Sequence, residues 1–264
     1  MGRLVAEEAA AASGSAAGIA ADNARALLAP TGKLRVGAYL GSPLSMLQDT
    51  ATGESHGLGI DLGKALAKQL GVPFEQVNYR RMAEVIEGMK AGDVDFAISN
   101  ATPARARDVA FSQTLLSLEL GYLVPAPSTI ATAVDADRPG VRIGVTQGST
   151  SERTLPQILR HATVAPAQNL DDAIGMLARQ ELDGFATNKP TLFEMCDAMP
   201  GARVLDGRWG VEHIAVAIPK GRDGGLEYLR RFVEQAQSSG LLAQAIARAN
   251  LRGAVKECRC RTRG

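Results

Sequence analysis

The first residues that could do chemistry are an arginine and the polar turn in front of it. The short segment 95–99 has strand composition, and Pro103 follows where a helical turn can begin, because its fixed φ suits a first helical residue. Free backbone N–H groups gather at such a start. Arg105 adds a planar guanidinium that can hold a carboxylate through two parallel hydrogen bonds. The stretch therefore predicts an anion clamp, with an ordinary surface arginine as the alternative.

A second turn of similar character comes later in the chain. Gln147-Gly148-Ser149-Thr150 follows a short apolar strand predicted at 141–145 and leads into a helix predicted at 153–161. The N-terminus of a helix favours an anion, because its backbone donors and its dipole both point there. The sequence thus contains two turns suited to negative charge.

The elements that must position these turns alternate along the chain. Short Gly-containing joints separate them, which is typical of an α/β fold with a mainly parallel sheet. Strands are predicted at 34–40, 74–79, 94–99, 115–124, 141–145, 163–165, 184–187 and 214–218, and helices at 60–70, 82–90, 153–161, 170–180, 190–195, 226–237 and 241–249.

Bulk composition indicates a globular protein that binds something small. Of 264 residues, 45% are hydrophobic and 22% are charged, and the net charge is +1, which gives no reason to expect nucleic acid or an anionic membrane as a partner. Aromatic residues make up only 4%, too few for a base-stacking surface. No run approaches the roughly 18 apolar residues of a membrane-spanning helix.

Metal and redox chemistry find little support. The histidines are far apart in sequence and lack metal-ligand spacing, and a C-x-C pair is too close for an ordinary disulfide. We therefore expect neither a metal nor a cofactor. The residues concerned are His56, His161, His213, Cys196, Cys258 and Cys260.

The two ends of the chain have no clear apolar pattern. Residues 1–30 are rich in alanine and carry Glu7, Glu8 and Asp22, which does not make the apolar core of a signal peptide. Either an export signal is missing from this chain, or the first 32 residues are a weak helix or a poorly ordered lead. The basic segment 256–263 is expected to be a solvated end rather than a nucleic-acid arm.

Several short motifs occur in order between Lys33 and Leu251. Together their order and spacing resemble the bacterial extracellular solute-binding proteins of the amino-acid-binding type (family 3), the periplasmic receptors of ABC importers. The motifs are Leu34-Arg35-Val36-Gly37, Gly57-Leu58-Gly59-Ile60-Asp61-Leu62, Lys90-Ala91-Gly92-Asp93-Val94-Asp95, Thr102-Pro103-Ala104-Arg105, Phe111-Ser112, Gln147-Gly148-Ser149-Thr150 and Leu182-Asp183-Gly184.

This resemblance implies the type II periplasmic-binding-protein fold. Each of two α/β lobes has a mainly parallel sheet flanked by helices, and two crossing strands let the lobes close on a ligand. Lobe 1 would be 33–124 plus 219–264 and lobe 2 would be 125–218, with crossings near 122–125 and 215–218. The resemblance also implies a periplasmic monomer that delivers a small carboxylate ligand to an ABC permease, without catalysis and without nucleic acid.

The resemblance assigns binding roles to individual residues. Arg105 matches the arginine that pairs with the ligand carboxylate, and Thr102 matches the threonine beside it. Ser149 and Thr150 match the turn of the second lobe that closes on the same carboxylate. The remaining residues expected to line the site are Asn100, Asn188, Tyr39 and Leu44.

Three departures from the family pattern affect the expected ligand. Asn188 stands where amino-acid binders usually carry an Asp for the ligand ammonium, and an amide supplies no charge to offset desolvation of a cation. The loop 43–46 lacks the usual aromatic residue, and Gln113-Thr114-Leu115 replaces the usual D-P-Y. We expect a carboxylate ligand with a weaker or differently placed amine, or with none.

Two other functions stay open at this point. Some relatives with this fold resemble cyclohexadienyl or arogenate dehydratases, in which a cleft carboxylate acts as general acid, but no motif places Glu119, Glu212 or His213 in such a role. A ligand-sensing protein without a transport partner is the third possibility. Neither G-x-G-x-x-G nor G-x-x-x-x-G-K-[ST] follows any predicted strand, so no nucleotide site competes.

Overall fold

The computed structural model describes residues 22–255 of the chain. Residues 22–28 form a helix, α1, in which Ala24 and Leu28 are buried in the core. Of the alternatives for the N-terminal lead, the helix therefore applies to this part. Residues 1–21 and the predicted basic tail, with Cys258 and Cys260, lie outside the described residues.

The first part of the chain alternates short strands with helices. Its elements are β1 (Leu34–Tyr39), β2 (Leu47–Gln48), β3 (Ser55–His56), α2 (Leu58–Leu70), β4 (Phe74–Tyr79), α3 (Met82–Ala91), β5 (Ala97–Asn100), a 3₁₀ turn at Arg105–Arg107 and the long strand β6 (Val109–Val124).

The second part repeats this alternation and ends in two helices. Its elements are a 3₁₀ turn at Val134–Ala136, β7 (Arg142–Thr146), α4 (Thr150–Ile158), β8 (Thr163–Ala167), α5 (Leu170–Ala178), β9 (Gly184–Asn188), α6 (Lys189–Asp197), β10 (Arg203–Val204), β11 (Gly210–Pro219), a 3₁₀ turn at Asp223–Gly225, α7 (Leu226–Ser238), α8 (Leu241–Arg248) and β12 (Ala254–Val255).

Helices α2 and α3 end at glycines that adopt a conformation other residues avoid. Gly71 has φ 67° and Gly92 has φ 82°, and each backbone N–H donates to a carbonyl of the last helical turn. A Cβ would be strained at this left-handed φ, so glycine ends each helix at little cost. The sharp turns send the chain directly into β4 and β5.

The predicted α/β architecture is confirmed. Strand β1 pairs with β4 in parallel and meets Phe96, just before β5, through a parallel bridge at Val36; β1, β4 and β5 are called the first strand group. Strand β7 pairs in parallel with both β8 and β9, and these three form the second strand group. Helices flank the parallel strands in both groups.

Two antiparallel strands run between the groups. Strand β11 pairs with β5 and, over almost its whole length, with β6, while the last residues of β6 pair with β9. One sheet therefore continues in the order β5-β11-β6-β9-β7-β8. Any side chain on β11 or β6 that contacts a ligand is therefore held in register with both strand groups.

Separate apolar clusters cover the faces of the sheet. One lies under α1, α2, α7 and α8, a second lies under α3, and two more sit on opposite faces of β7. Of the two clusters on β7, one contains Leu155 of α4, and the other, on the α5 side, contains Leu177 and Phe185. Among the described residues, no helix is long and apolar enough to cross a membrane.

Several predicted boundaries differ from the structure, and three of the differences affect the region around the clamp and β11. β6 starts at Val109 rather than at residue 115, because its polar first half pairs with the end of β11, where Ala110 opposes Ile218. β11 starts at Gly210 rather than at residue 214. The turn predicted after Pro103 is a single 3₁₀ turn and not the start of an α-helix.

Asp95 anchors the start of β5 to two other parts of the fold. Its fully buried carboxylate accepts hydrogen bonds from the backbone N–H and guanidinium of Arg35, at 2.8 to 3.0 Å, and from Arg222 at 2.6 Å. Burial acts to raise the pKa of Asp95, but hydrogen bonds from Arg35 and Arg222 outweigh it and hold the pKa below its usual value.

We expect Asp95→Asn to lower the free energy of unfolding by about 3 kcal/mol at pH 7, because two buried guanidinium groups lose their counter-charge. A depressed pKa stabilises the fold above the carboxyl's unfolded pKa, so the difference should shrink as the pH falls below about 4. Urea denaturation measures it. The control is Asp93→Asn, at an exposed position two residues earlier, with an expected change within about 0.5 kcal/mol; equal effects of the two variants would contradict the assignment.

Candidate ligand-binding site

A small cavity lies where the carboxyl ends of the parallel strands of both groups meet. The volume of the cavity is about 70 Å³. Its walls come from the ends of β1, β5, β7 and β9, from the N-terminus of α4 and from β11. Ligands of open α/β sheets bind at this edge, because the loops and helix starts that follow the strands gather there.

Arg105 is buried at the floor of this cavity. Its side chain is only 8% exposed, and Nη1 donates to Ser99 Oγ at 2.9 Å. That bond is the only one that its guanidinium makes within residues 22–255, so other N–H groups stay available. Burial lowers the pKa of the Arg105 guanidinium, opposed by the negative charge of Glu212. A buried cation with spare donors is suited to hold an anion.

Thr102 supports the arginine from behind. Its hydroxyl accepts a hydrogen bond from the Arg105 backbone N–H at 3.2 Å, which fixes the 3₁₀ turn, and it is not among the residues that line the cavity. Its direct contact with a ligand stays a prediction. Asn100, the last residue of β5, does line the cavity.

The second predicted turn faces the same space. Ser149 is the N-cap of α4: its hydroxyl accepts from the Glu152 backbone N–H at 3.1 Å, while the Glu152 carboxylate accepts from Gly148 N–H at 2.6 Å. These two hydrogen bonds, similar to a capping box but with Glu152 accepting from the residue before the N-cap, fix the start of the helix. The Thr150 hydroxyl lines the cavity and is buried without a hydrogen-bond partner in the described residues. It is free to donate to a ligand.

Asn188 sits at the end of β9 and caps α6. Its amide oxygen accepts from the Thr191 backbone N–H at 3.1 Å, so its amide N–H₂ group is the part left to point elsewhere. Asn188 and Glu212 both line the cavity, and the Asn188 amide acts to lower the pKa of the Glu212 carboxyl. Because the amide oxygen is engaged in the α6 cap, the amide N–H₂ group is the part of Asn188 that can donate in the cavity.

Glu212 is the site residue that the sequence analysis considered but did not place. Its side chain lines the cavity and the residue is 9% exposed. Burial raises the pKa of the Glu212 carboxyl to about 7, and the positive charge of Arg105 and the Asn188 amide offset only part of that rise. Near neutral pH the carboxyl is poised between its two protonation states.

A signal for Glu212 exists in the sequence, but it depends on where β11 begins. Val211 and His213 are exposed, while Glu212 and Ile214 are buried. A strand that starts at Gly210 therefore places Glu212 on the inner face, in phase with Ile214. The apolar pattern alone starts the strand at Ile214 and so does not include the glutamate.

Arg105 and Glu212 are the only formally charged side chains among the residues that line the cavity in the described part of the chain. Tyr39 is the other titratable group there; burial raises its pKa, so the phenol is neutral near pH 7. Leu44 supplies an apolar patch from the loop after β1. The site offers one cation, one carboxyl and a ring of neutral donors.

Contacts across the cavity mouth hold the two strand groups close together. Arg81 Nη1 donates to Gln147 Oε1 at 3.1 Å and to the Gln168 carbonyl at 3.0 Å. Gly148, with φ 73°, leaves so little space that a Cβ there would lie 2.6 Å from the Cβ of Ala83.

The described residues contain no group of three His, Cys, Asp or Glu side chains that could hold a metal.

A fold and a site of this kind define a small-ligand binding protein with a cleft between two α/β units. Residues 34–249 match the family model of the bacterial extracellular solute-binding proteins, family 3. The chain belongs to this family, and its fold is that of the type II periplasmic amino-acid-binding proteins.

Similar proteins support that assignment. A glutamine-binding protein of Geobacillus stearothermophilus is 26% identical over 72% of this chain and 73% of its own length. The ABC transporter glutamine-binding protein GlnH of Bacillus subtilis (strain 168) is 22% identical over 79% and 77%. The crystal structure of an ancestral amino acid-binding protein, AncCDT-1, a precursor of cyclohexadienyl dehydratase, is 26% identical, with a TM-score of 0.72 over 83% of this chain and 96% of that one.

The Glu212 carboxyl predicts an unusual pH dependence of stability. Its pKa in the folded protein lies above the value of the unfolded chain, so between about pH 4.5 and 7 the folded state binds a proton that the unfolded state lacks, and stability is lost as the pH rises. Relative to Glu212→Gln, the wild type should lose on the order of 3 kcal/mol across this range. Urea denaturation at several pH values measures this, and parallel curves for the two proteins would contradict the buried, perturbed carboxyl.

Proposed function

We propose that this protein is the substrate-binding component of an ABC importer and captures a small carboxylate-bearing solute, an amino acid or a close analogue. The observation that carries the proposal is Arg105, a buried guanidinium with donors to spare that opens into the cavity. A desolvated cation is costly unless an anion completes its coordination. A ligand carboxylate is the matching group.

The opposite wall supports the same ligand chemistry. The N-terminus of α4 presents backbone N–H groups, and the partnerless Thr150 hydroxyl adds a donor. A carboxylate between Arg105 and this helix start would receive charge-assisted hydrogen bonds from both sides. The small volume of the cavity favours a ligand of amino-acid size over a peptide or a sugar chain.

We propose that the two strand groups belong to lobes that close on this ligand. The predicted division, 33–124 plus 219–264 against 125–218, is kept, and the connection is proposed to run along β6 and β11, which pair with strands of both groups. The contacts of Arg81 with Gln147 and Gln168 would stabilise the closed state. A ligand that touches both walls favours closure, because it binds that state more tightly.

Transport, location and assembly rest on the relatives. GlnH of Bacillus subtilis is named as a component of an ABC transporter, and the family is one of extracellular proteins. For this chain we propose a monomeric, non-catalytic receptor outside the cytoplasmic membrane that delivers its ligand to a permease. No nucleic acid and no cofactor enter this role.

Arg105→Ala tests the carboxylate clamp. The twenty L-amino acids are first screened by thermal shift, beginning with L-glutamine, because a ligand of the folded state raises the melting temperature. Isothermal titration with the best of them should then show an affinity about 100-fold lower in Arg105→Ala, since charge-assisted hydrogen bonds to the carboxylate are lost.

The matched control is Arg107→Ala, two residues further along the same turn. Arg107 is exposed, so this variant removes an equal charge without touching the cavity, and wild-type affinity is expected. Equal affinities in Arg105→Ala and the wild type would refute the carboxylate clamp.

A second candidate function has one specific observation in its favour. Burial raises the pKa of Glu212 to about 7, which suits a general acid at neutral pH, and the similar ancestral protein is described as a precursor of cyclohexadienyl dehydratase. A dehydratase would use this carboxyl to protonate a leaving hydroxyl. Binding remains the leading proposal, because the chain belongs to a family of solute-binding proteins and the two similar glutamine-binding proteins are named for binding.

Turnover of prephenate decides between the two functions. The purified protein should form product no faster than the uncatalysed reaction at pH 6 to 8, followed by the absorbance of phenylpyruvate. Turnover by the wild type that disappears in Glu212→Gln would establish the enzyme instead.

A further inference from the structure

We propose that Glu212 accepts the ammonium group of an amino-acid ligand, in place of the residue at position 188. The inference rests on the proposed function, because it assumes that Arg105 holds the ligand carboxylate. The sequence analysis expects a ligand with a weaker or differently placed amine, or with none. The present proposal is instead an amino acid that the site recognises at both its carboxylate and its ammonium group.

The first argument is position. Glu212 lies on the inner face of β11, two residues before Ile214, whose neighbour across the sheet is Asn100. The Ala101 N–H, from the turn that presents Arg105, donates to the His213 carbonyl at 2.8 Å. This links the glutamate strand to the arginine turn by backbone, so both charged groups are held rigidly in one cavity.

The second argument is the state of Asn188. Its amide oxygen is committed to the α6 cap, and its amide acts to lower the pKa of the Glu212 carboxyl. With its oxygen engaged, Asn188 does not compete with Glu212 for the cation. An Asp at position 188 would cap α6 equally well, yet it would place a second negative charge beside Glu212, which the low dielectric of the site disfavours.

The third argument is charge balance. Among the residues that line the cavity in the described part of the chain, Arg105 and Glu212 carry the only formal charges, one of each sign. A zwitterion with adjacent carboxylate and ammonium groups complements both of these charges. A ligand without the amine would bring only its negative carboxylate toward the negative charge of Glu212. The cavity is thus matched in charge to an amino acid.

Binding should be coupled to the proton on Glu212. Arg105 stays charged, Tyr39 stays neutral, and Asn188 does not titrate, so Glu212 is the group facing the ligand that changes charge between pH 5 and 8. An ammonium ligand requires the ionised carboxyl, so its affinity should fall about tenfold per pH unit below pH 7. A carboxylate without an amine should show the opposite slope, because protonation removes the repulsion.

The experiment compares amino acids with their deaminated counterparts, such as L-glutamine with glutaramate and L-alanine with propionate, by calorimetric titration at pH 5 to 8. The wild type should prefer the amino acid by at least 10-fold, with affinity falling at low pH. Glu212→Gln should lose most of this preference and all of the slope, since a charge-assisted hydrogen bond is lost.

A charge swap separates recognition from a structural effect. In the double variant Glu212→Gln with Asn188→Asp, the negative charge returns to position 188, and the preference for the amine should be recovered. A preference that survives in Glu212→Gln, or a wild type that binds the deaminated acid as well as the amino acid, overturns the inference and leaves the carboxylate clamp intact. Failure of the wild type to bind any member of the panel overturns both.

Discussion

The structure depends at its functional centre on two opposite charges held out of water in one small cavity. Arg105 and Glu212 are both buried, and neither has a complete set of partners within the protein. Burying these charges costs free energy that they offset only in part for each other, and a complementary ligand would offset more of it. The surrounding neutral donors then orient the ligand without adding charge.

The rest of the fold serves to keep these two groups in register. Arg105 comes from a turn that Thr102 and the Ser99 hydroxyl hold in place, and Glu212 comes from a strand paired with both β5 and β6. Asp95 anchors the beginning of β5 to β1 and to the chain after β11. The pairing of β11 with β5 and β6 thus holds the two charged groups in one cavity.

The departure of Asn188 from the family pattern can be interpreted only together with its neighbour in the cavity, Glu212. Alone, it reads as the loss of the carboxylate that amino-acid binders use, and it casts doubt on an amino-acid ligand. Next to Glu212 it is consistent with our proposal that a different strand supplies the carboxylate. In that proposal the number of negative charges facing the ligand is unchanged, while their origin moves from β9 to β11.

By itself the sequence determined the α/β class, the family, and seven of the residues that line the cavity, because these follow from local periodicity and short motifs such as Thr102-Pro103-Ala104-Arg105. Only the tertiary structure decided where β6 and β11 begin, since their polar first residues are stabilised by pairing with distant strands and not by a local pattern. For the same reason it alone decided the environment of Glu212: its burial and its place in one cavity with Arg105 and Asn188 are properties of the assembled sheet.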